Sequence, residues 1–135
     1  MIAYRTGEMP AVDRARELYR ASTLAERRPV DDAARFGAML AHANLVVTAW
    51  DGDLLVGISR CLSDFAWTTY LADLAVRVSH QRQGIGRELV RHTRAAAPQA
   101  ILLLLAAPAA VDYYPRLGFE RQAQAWLLRP GEPLR

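Results

Sequence analysis

Gln81-Arg82-Gln83-Gly84-Ile85-Gly86-Arg87 decides how this chain is read, because it stands between an apolar, β-rich run and a helical pattern. A helix that starts here leaves its first amide N–H groups without intrahelical acceptors and adds the positive end of its dipole. Together these make an anion site. Gly84 and Gly86 carry no side chains, so a pyrophosphate can approach the backbone closely. Arg87, Arg91 and Arg94 follow at i, i+4 and i+7 and form one stripe beside the site, either a phosphate contact or a solvated face. The dinucleotide fingerprint is not met: it needs a third glycine where Leu89 stands.

Working outward, residues 67–78 read as the preceding strand, and the helix runs to about Ala97, where Pro98 interrupts it. Residues 100–106, almost pure leucine, read as a central strand covered on both faces. Strand, helix and strand make a parallel crossover unit. Upstream, 2–6 is a short strand and 10–20 an amphipathic helix. A polar loop, 22–30, leads to a second helix capped by Asp31 or Asp32 and running to about Ala43. Residues 45–50 and 54–62 form a hairpin through Asp51-Gly52-Asp53. A short helix near 109–114 and a strand over 119–129 close the chain, and its 135 residues suit one domain, 1–135.

All 17 basic residues are arginines. Schiff-base, pyridoxal and phosphate-loop chemistry, which require a lysine amine, are thereby excluded. One cysteine, Cys61, allows no internal disulfide and no cysteine-built metal site, and together with the absence of a leader pattern it suits a soluble protein of the reducing cytoplasm. The longest apolar stretch, 100–111, is shorter than the roughly 20 residues of a membrane span. The net charge of +3 is uneven. Arg77, Arg82, Arg87, Arg91 and Arg94 face only Glu88, which points to a compact polyanion rather than a nucleic acid.

Leu74-Ala75-Val76 followed by Gln81-x-x-Gly84-x-Gly86 resembles the acyl-CoA-binding motif of the GNAT superfamily of CoA-dependent N-acetyltransferases. Tyr114-Pro115-Arg116-Leu117-Gly118-Phe119 is similar to that superfamily's Y-x-K-L-G-F segment. The resemblance implies an α/β fold with a mixed, centrally splayed sheet of about six to seven strands flanked by about four helices. It implies acetyl-CoA as donor, a primary amine as acceptor, direct attack in a ternary complex and no metal. Backbone groups of Val76 and Val78 would pair with the pantetheine arm, and the amides of Arg82, Gln83, Gly84, Ile85, Gly86 and Arg87 would hold the pyrophosphate. The strands around 74–78 and 102–106 would wall the wedge. Tyr114 would protonate the leaving thiolate. The chain departs from the family at Val78, where proline is common, and at Ala107, where asparagine is common. Pro115 works against helical geometry at Tyr114, and Tyr113 is the alternative.

The amine must lose a proton, and Asp73 is either the base or a buried carboxylate tied to a loop or an arginine. Glu26, in the loop between the first helices, is the second candidate. His42, His80 and His92 have no metal-ligand spacing. Cys61 reads as a small buried residue. Phe65, Trp67 and Tyr70 line either an acceptor pocket or the core, and Trp126, Leu127 and Leu128 offer a contact for a homodimer, a frequent state in the superfamily. A CoA-binding sensor or subunit without catalysis is the alternative function.

Overall fold

Strand order in the sheet follows chain order. In the computed structural model, which describes residues 1–135, the strands are β1 (Ile2–Thr6), β2 (Leu45–Asp51), β3 (Leu54–Ser63), β4 (Thr68–Val76) and β5 (Ile101–Leu103). The first four pair antiparallel, and β4 pairs parallel with β5. The helices are α1 (Val12–Ala21), α2 (Ala33–Ala41), α3 (Ile85–Ala96) and α4 (Tyr113–Arg116). Asp32 caps α2, its carboxylate accepting the Arg35 amide at 3.1 Å.

The chain divides into two compact units, residues 1–105 and 106–135, and the sheet belongs to the first. One face of that sheet is covered by α1 and α2, through Leu18, Tyr19, Phe36 and Leu40 against Val46, Trp50, Ile58 and Ala75. The other is covered by α3, whose Ile85 and Leu89 meet Val47, Ala49 and Val56. Strand β2 contributes to both clusters, which is why it reads as a continuous apolar run rather than an alternating one.

Two local features place the functional elements. Gly57 of β3 lies under α3: a Cβ there would stand 2.9 Å from Leu89 Cδ1 and 3.2 Å from Ile85 Cγ2. Its missing side chain lets the start of α3 rest directly on the sheet. In β4, Arg60 pairs with Asp73 and Cys61 with Leu71, so Ala72 is an extra residue with no partner on β3. Such a bulge bends the strand and increases its twist. Pairing of β4 with β5 covers only Thr68 to Tyr70, and from Leu71 onward β4 runs on without β5 beside it.

Three expectations are corrected. The sheet has five strands rather than six to seven, because residues 119–129 form no ladder. That segment is exposed, and its polar run Glu120-Arg121-Gln122 lacks the alternation that would bury one face. The leucine run contributes only Ile101–Leu103, at an edge rather than in the middle, with Ile101 and Leu103 half exposed, since no strand lies on its outer side. The last helix is α4 at Tyr113–Arg116, preceded by a 3-10 turn at Pro108–Ala110.

Replacing Gly57 with alanine should destabilise the protein by about 1–3 kcal/mol through overpacking against Leu89 and Ile85, measured as a fall in the urea midpoint at unchanged slope.

Candidate functional site

The turn between β4 and α3 is built to present amides. Arg82 and Gly84 both adopt left-handed backbone geometry, at φ +63° and +83°. Gly84 is the N-cap of α3 and brings no side-chain cap, and the first intrahelical bond is Glu88 N–H to Gly84 O at 3.1 Å. The amides of Arg82, Gln83, Gly84, Ile85, Gly86 and Arg87 donate to no group of the chain. Six consecutive donors at the positive end of a 12-residue helix make a cradle suited to an anion.

The free edge of β4 leads into this cradle. Arg77 N–H donates to Val56 O of β3 at 2.8 Å, so the backbone groups of Val76 and, two residues back, Leu74 point away from β3, toward the side that β5 leaves open. The Gln81 side chain caps this edge at one point, its Nε2 donating to Val76 O at 2.9 Å. Val78 lies beyond the strand, at the start of a 3-10 turn (Val78–His80), and its carbonyl accepts the Gln81 amide at 3.3 Å.

The basic cluster is sparser in space than in sequence. Arg77 turns away to Glu17 of α1, with which it makes two 2.7 Å bonds, and to Leu55 O of β3 at 2.8 Å. Arg91 pairs with Glu88 at 2.7 Å. Arg82, Arg87 and Arg94 are exposed and have no acidic partner. The free positive charge therefore lies on the cradle itself and along α3.

Asp73 is fully buried and heavily engaged. One oxygen accepts Arg28 Nε at 2.5 Å, and the other accepts Arg60 Nε and the Tyr19 hydroxyl, each at 2.6 Å. Arg28 also donates to Ala72 O at 2.9 Å, and Arg60 to Met39 O at 3.1 Å. Burial works against the charge on Arg60, but the neighbouring carboxylate more than offsets it and leaves the pKa raised. Burial, then the Asp73 charge, pushes the Tyr19 phenol upward, so Tyr19 remains a donor. Both carboxylate oxygens of Asp73 are thus engaged by donors of the chain itself. Nothing in the spacing of the sequence announced Arg28, Arg60 and Tyr19 as its partners. Glu26 is exposed, in a 3-10 turn at Leu24–Arg27.

The bulge also rearranges side chains. Ser59 reaches Thr93 of α3 at 2.8 Å, so Arg60 faces α1 and α2, and the register sets Tyr70 with Leu62 on that same face. Strict alternation from Asp73 would have put Tyr70 on the other. Phe65 and Trp67 are not core residues: they are exposed at a turn whose Asp64 carboxylate accepts three amides, from Ala66, Trp67 and Thr68. Cys61 is buried, which pushes its thiol up to about 11.

In the second unit, Tyr114 lies in α4, edge-on to Tyr113 at 5.2 Å and to Phe119 at 5.4 Å. Its carbonyl accepts the amides of Leu117 and Phe119 at 3.0 and 3.1 Å, a tight end completed by Gly118 at φ +96°. Pro115 is accommodated because it falls within the first turn, where its missing N–H breaks no helical bond. Burial and then Tyr113 push the Tyr114 phenol up to about 12.

Residues 42–121 match the family model of the acetyltransferase (GNAT) domain. No curated protein sequence matches the chain. Among solved structures, a GNAT-family acetyltransferase from Streptococcus pneumoniae is 26% identical with a TM-score of 0.71, the match covering 96% of this chain and 99% of that one. A candidate acetyltransferase from Deinococcus radiodurans is 25% identical, also with a TM-score of 0.71, over 96% of this chain and 88% of that one. An aminoglycoside N-acetyltransferase solved with CoA, 15% identical, shares the fold with a TM-score of 0.73 over 97% of this chain and 95% of that one.

Neutralising the hub should be severe. Asp73→Asn leaves two arginine cations without their counter-charge, an expected loss of about 3–5 kcal/mol, read from chemical denaturation.

Proposed function

The chain belongs to the GNAT acetyltransferase family, and we propose that it transfers an acetyl group from acetyl-CoA to a primary amine by direct attack in a ternary complex. The observation that carries this reading is the line of six unengaged amides that follows, after one 3-10 turn, a strand edge with no ladder partner beyond Tyr70, where the Val76 carbonyl accepts only the Gln81 side chain. A pyrophosphate fits the amides, with Arg82 and Arg87 adding charge, and an amide-bearing pantetheine arm fits the strand edge as an added strand would. The Val76 amide is assigned to the thioester oxygen, where a positioned donor stabilises developing negative charge. Val78 contributes from the turn.

The amine nitrogen attacks the thioester carbonyl carbon, the C–S bond breaks, and the sulfur leaves with its electron pair. Tyr114 supplies the proton that the sulfur takes up. The proton of the attacking amine passes to water or to Glu26, since Asp73 is taken by its arginines. In this scheme residues 1–135 are assigned to one catalytic domain.

Isothermal titration with acetyl-CoA tests the binding half. The parent should bind, and Gly84→Glu should bind at least about tenfold more weakly, because it forces a side chain into φ +83° and sets a carboxylate at the cradle. A folded parent that does not bind removes the reading. For catalysis, Tyr114→Phe should lower kcat by about a hundredfold, within the range of general acids, and leave acetyl-CoA affinity unchanged. The protonated phenol is the active form, and its pKa of about 12 means that it keeps its proton as pH rises. The pH–rate profile should therefore show no loss attributable to this group near pH 10, where an ordinary tyrosine would be half ionised.

A further inference from the structure

Arg28 joins two parts of the molecule that the proposed reaction must keep in register. Its Nη2 donates to the carbonyl of Ala72, the bulge residue that has no partner on β3, and its Nε bonds the adjacent Asp73 carboxylate. The planar fork of the guanidinium thus grips the bulge residue and the one after it, two residues past the point where the pairing of β4 with β5 ends. Its third contact, Nη1 to Arg27 O at 2.7 Å, is within its own loop. The loop's other long-range polar ties run to α1: Arg16 to Val30 O at 2.9 Å and Arg20 to Asp31 at 2.6 Å. Arg28 is its polar link to β4.

We propose that Arg28 is a positioning residue that makes the α1–α2 loop and the bulged edge of β4 move as one piece, so that a donor lying along β4 orders the loop that carries Glu26. This rests on the acetyl-CoA reading above. Removing Arg28 leaves Asp73 with Arg60 and Tyr19, so the carboxylate is not stranded and the variant is expected to fold.

The test is amide hydrogen exchange on the parent, Arg28→Ala and Arg28→Lys, with and without acetyl-CoA. Glu26 and Val30 are the loop reporters, since their amides donate within the loop to Thr23 O at 3.1 Å and Arg28 O at 2.9 Å. Without ligand, their exchange should be about tenfold faster in Arg28→Ala than in the parent. With acetyl-CoA, the parent should slow exchange both at residues 82–87 and at the two loop amides. Arg28→Ala should keep the first protection and lose the second, an uncoupling that a purely structural role would not produce. Arg28→Lys, whose single ammonium cannot span both acceptors, should lose it in part, and it carries the test if the alanine variant does not fold. Ligand-dependent protection of the loop that persists in both variants overturns the proposal. If acetyl-CoA protects nothing in the parent, the donor reading fails and the positioning role fails with it, while the ligand-free comparison still decides whether Arg28 ties the loop to β4.

Discussion

One additional residue in β4 governs much of this molecule. Ala72 has no place in the ladder with β3, so the strand bends there, and its partnership with β5 ends two residues earlier at Tyr70. A strand edge without a ladder partner presents hydrogen-bonding groups to other donors and acceptors, and at Leu74 and Val76 these point to the side away from β3, where the Gln81 side chain takes the Val76 carbonyl. The bend is held on one side by Asp73 and its three donors and is followed on the other by the turn into α3. The open edge, the unengaged amides and the groups that Arg28 contacts therefore come from one strand and the residues that follow it.

The buried charge cluster shows how such a bend is kept. One carboxylate shared by two guanidinium groups and a phenol satisfies its oxygens in an interior where any missing partner would be costly. It also joins segments far apart in the chain, α1 through Tyr19, the following loop through Arg28, β3 through Arg60 and β4 through Asp73. On the opposite face the constraint is steric rather than electrostatic: the bare Cα of Gly57 lets α3 lie close, so the amides at its start are set by the sheet beneath them.

Charge is redistributed by folding. A string of five arginines around the glycine turn loses Arg77 to Glu17 and Arg91 to Glu88, leaving Arg82, Arg87 and Arg94 for an anion. The cradle depends less on these side chains than on amides, whose positions are fixed by backbone geometry and whose charge does not titrate.

Local rules were enough to read the hairpin through Asp51-Gly52-Asp53, a cap at Asp31 or Asp32, the amphipathic α3 and the glycine turn, because turn chemistry, capping and 3.6-residue periodicity each involve residues a few positions apart. The leucine run misled the same reasoning: an apolar stretch reports a preference for burial but not whether a further strand will form to pair with it, and 119–129 forms none. Asp73 is the plainest division between the two levels. Its placement in an apolar strand already required a partner, since a bare carboxylate there is untenable. Which partner could not be read, because Tyr19, Arg28 and Arg60 come from three other elements whose convergence is set by strand order, by the bulge and by helix packing. The chemistry to be satisfied was written locally, and the groups that satisfy it were chosen by long-range packing.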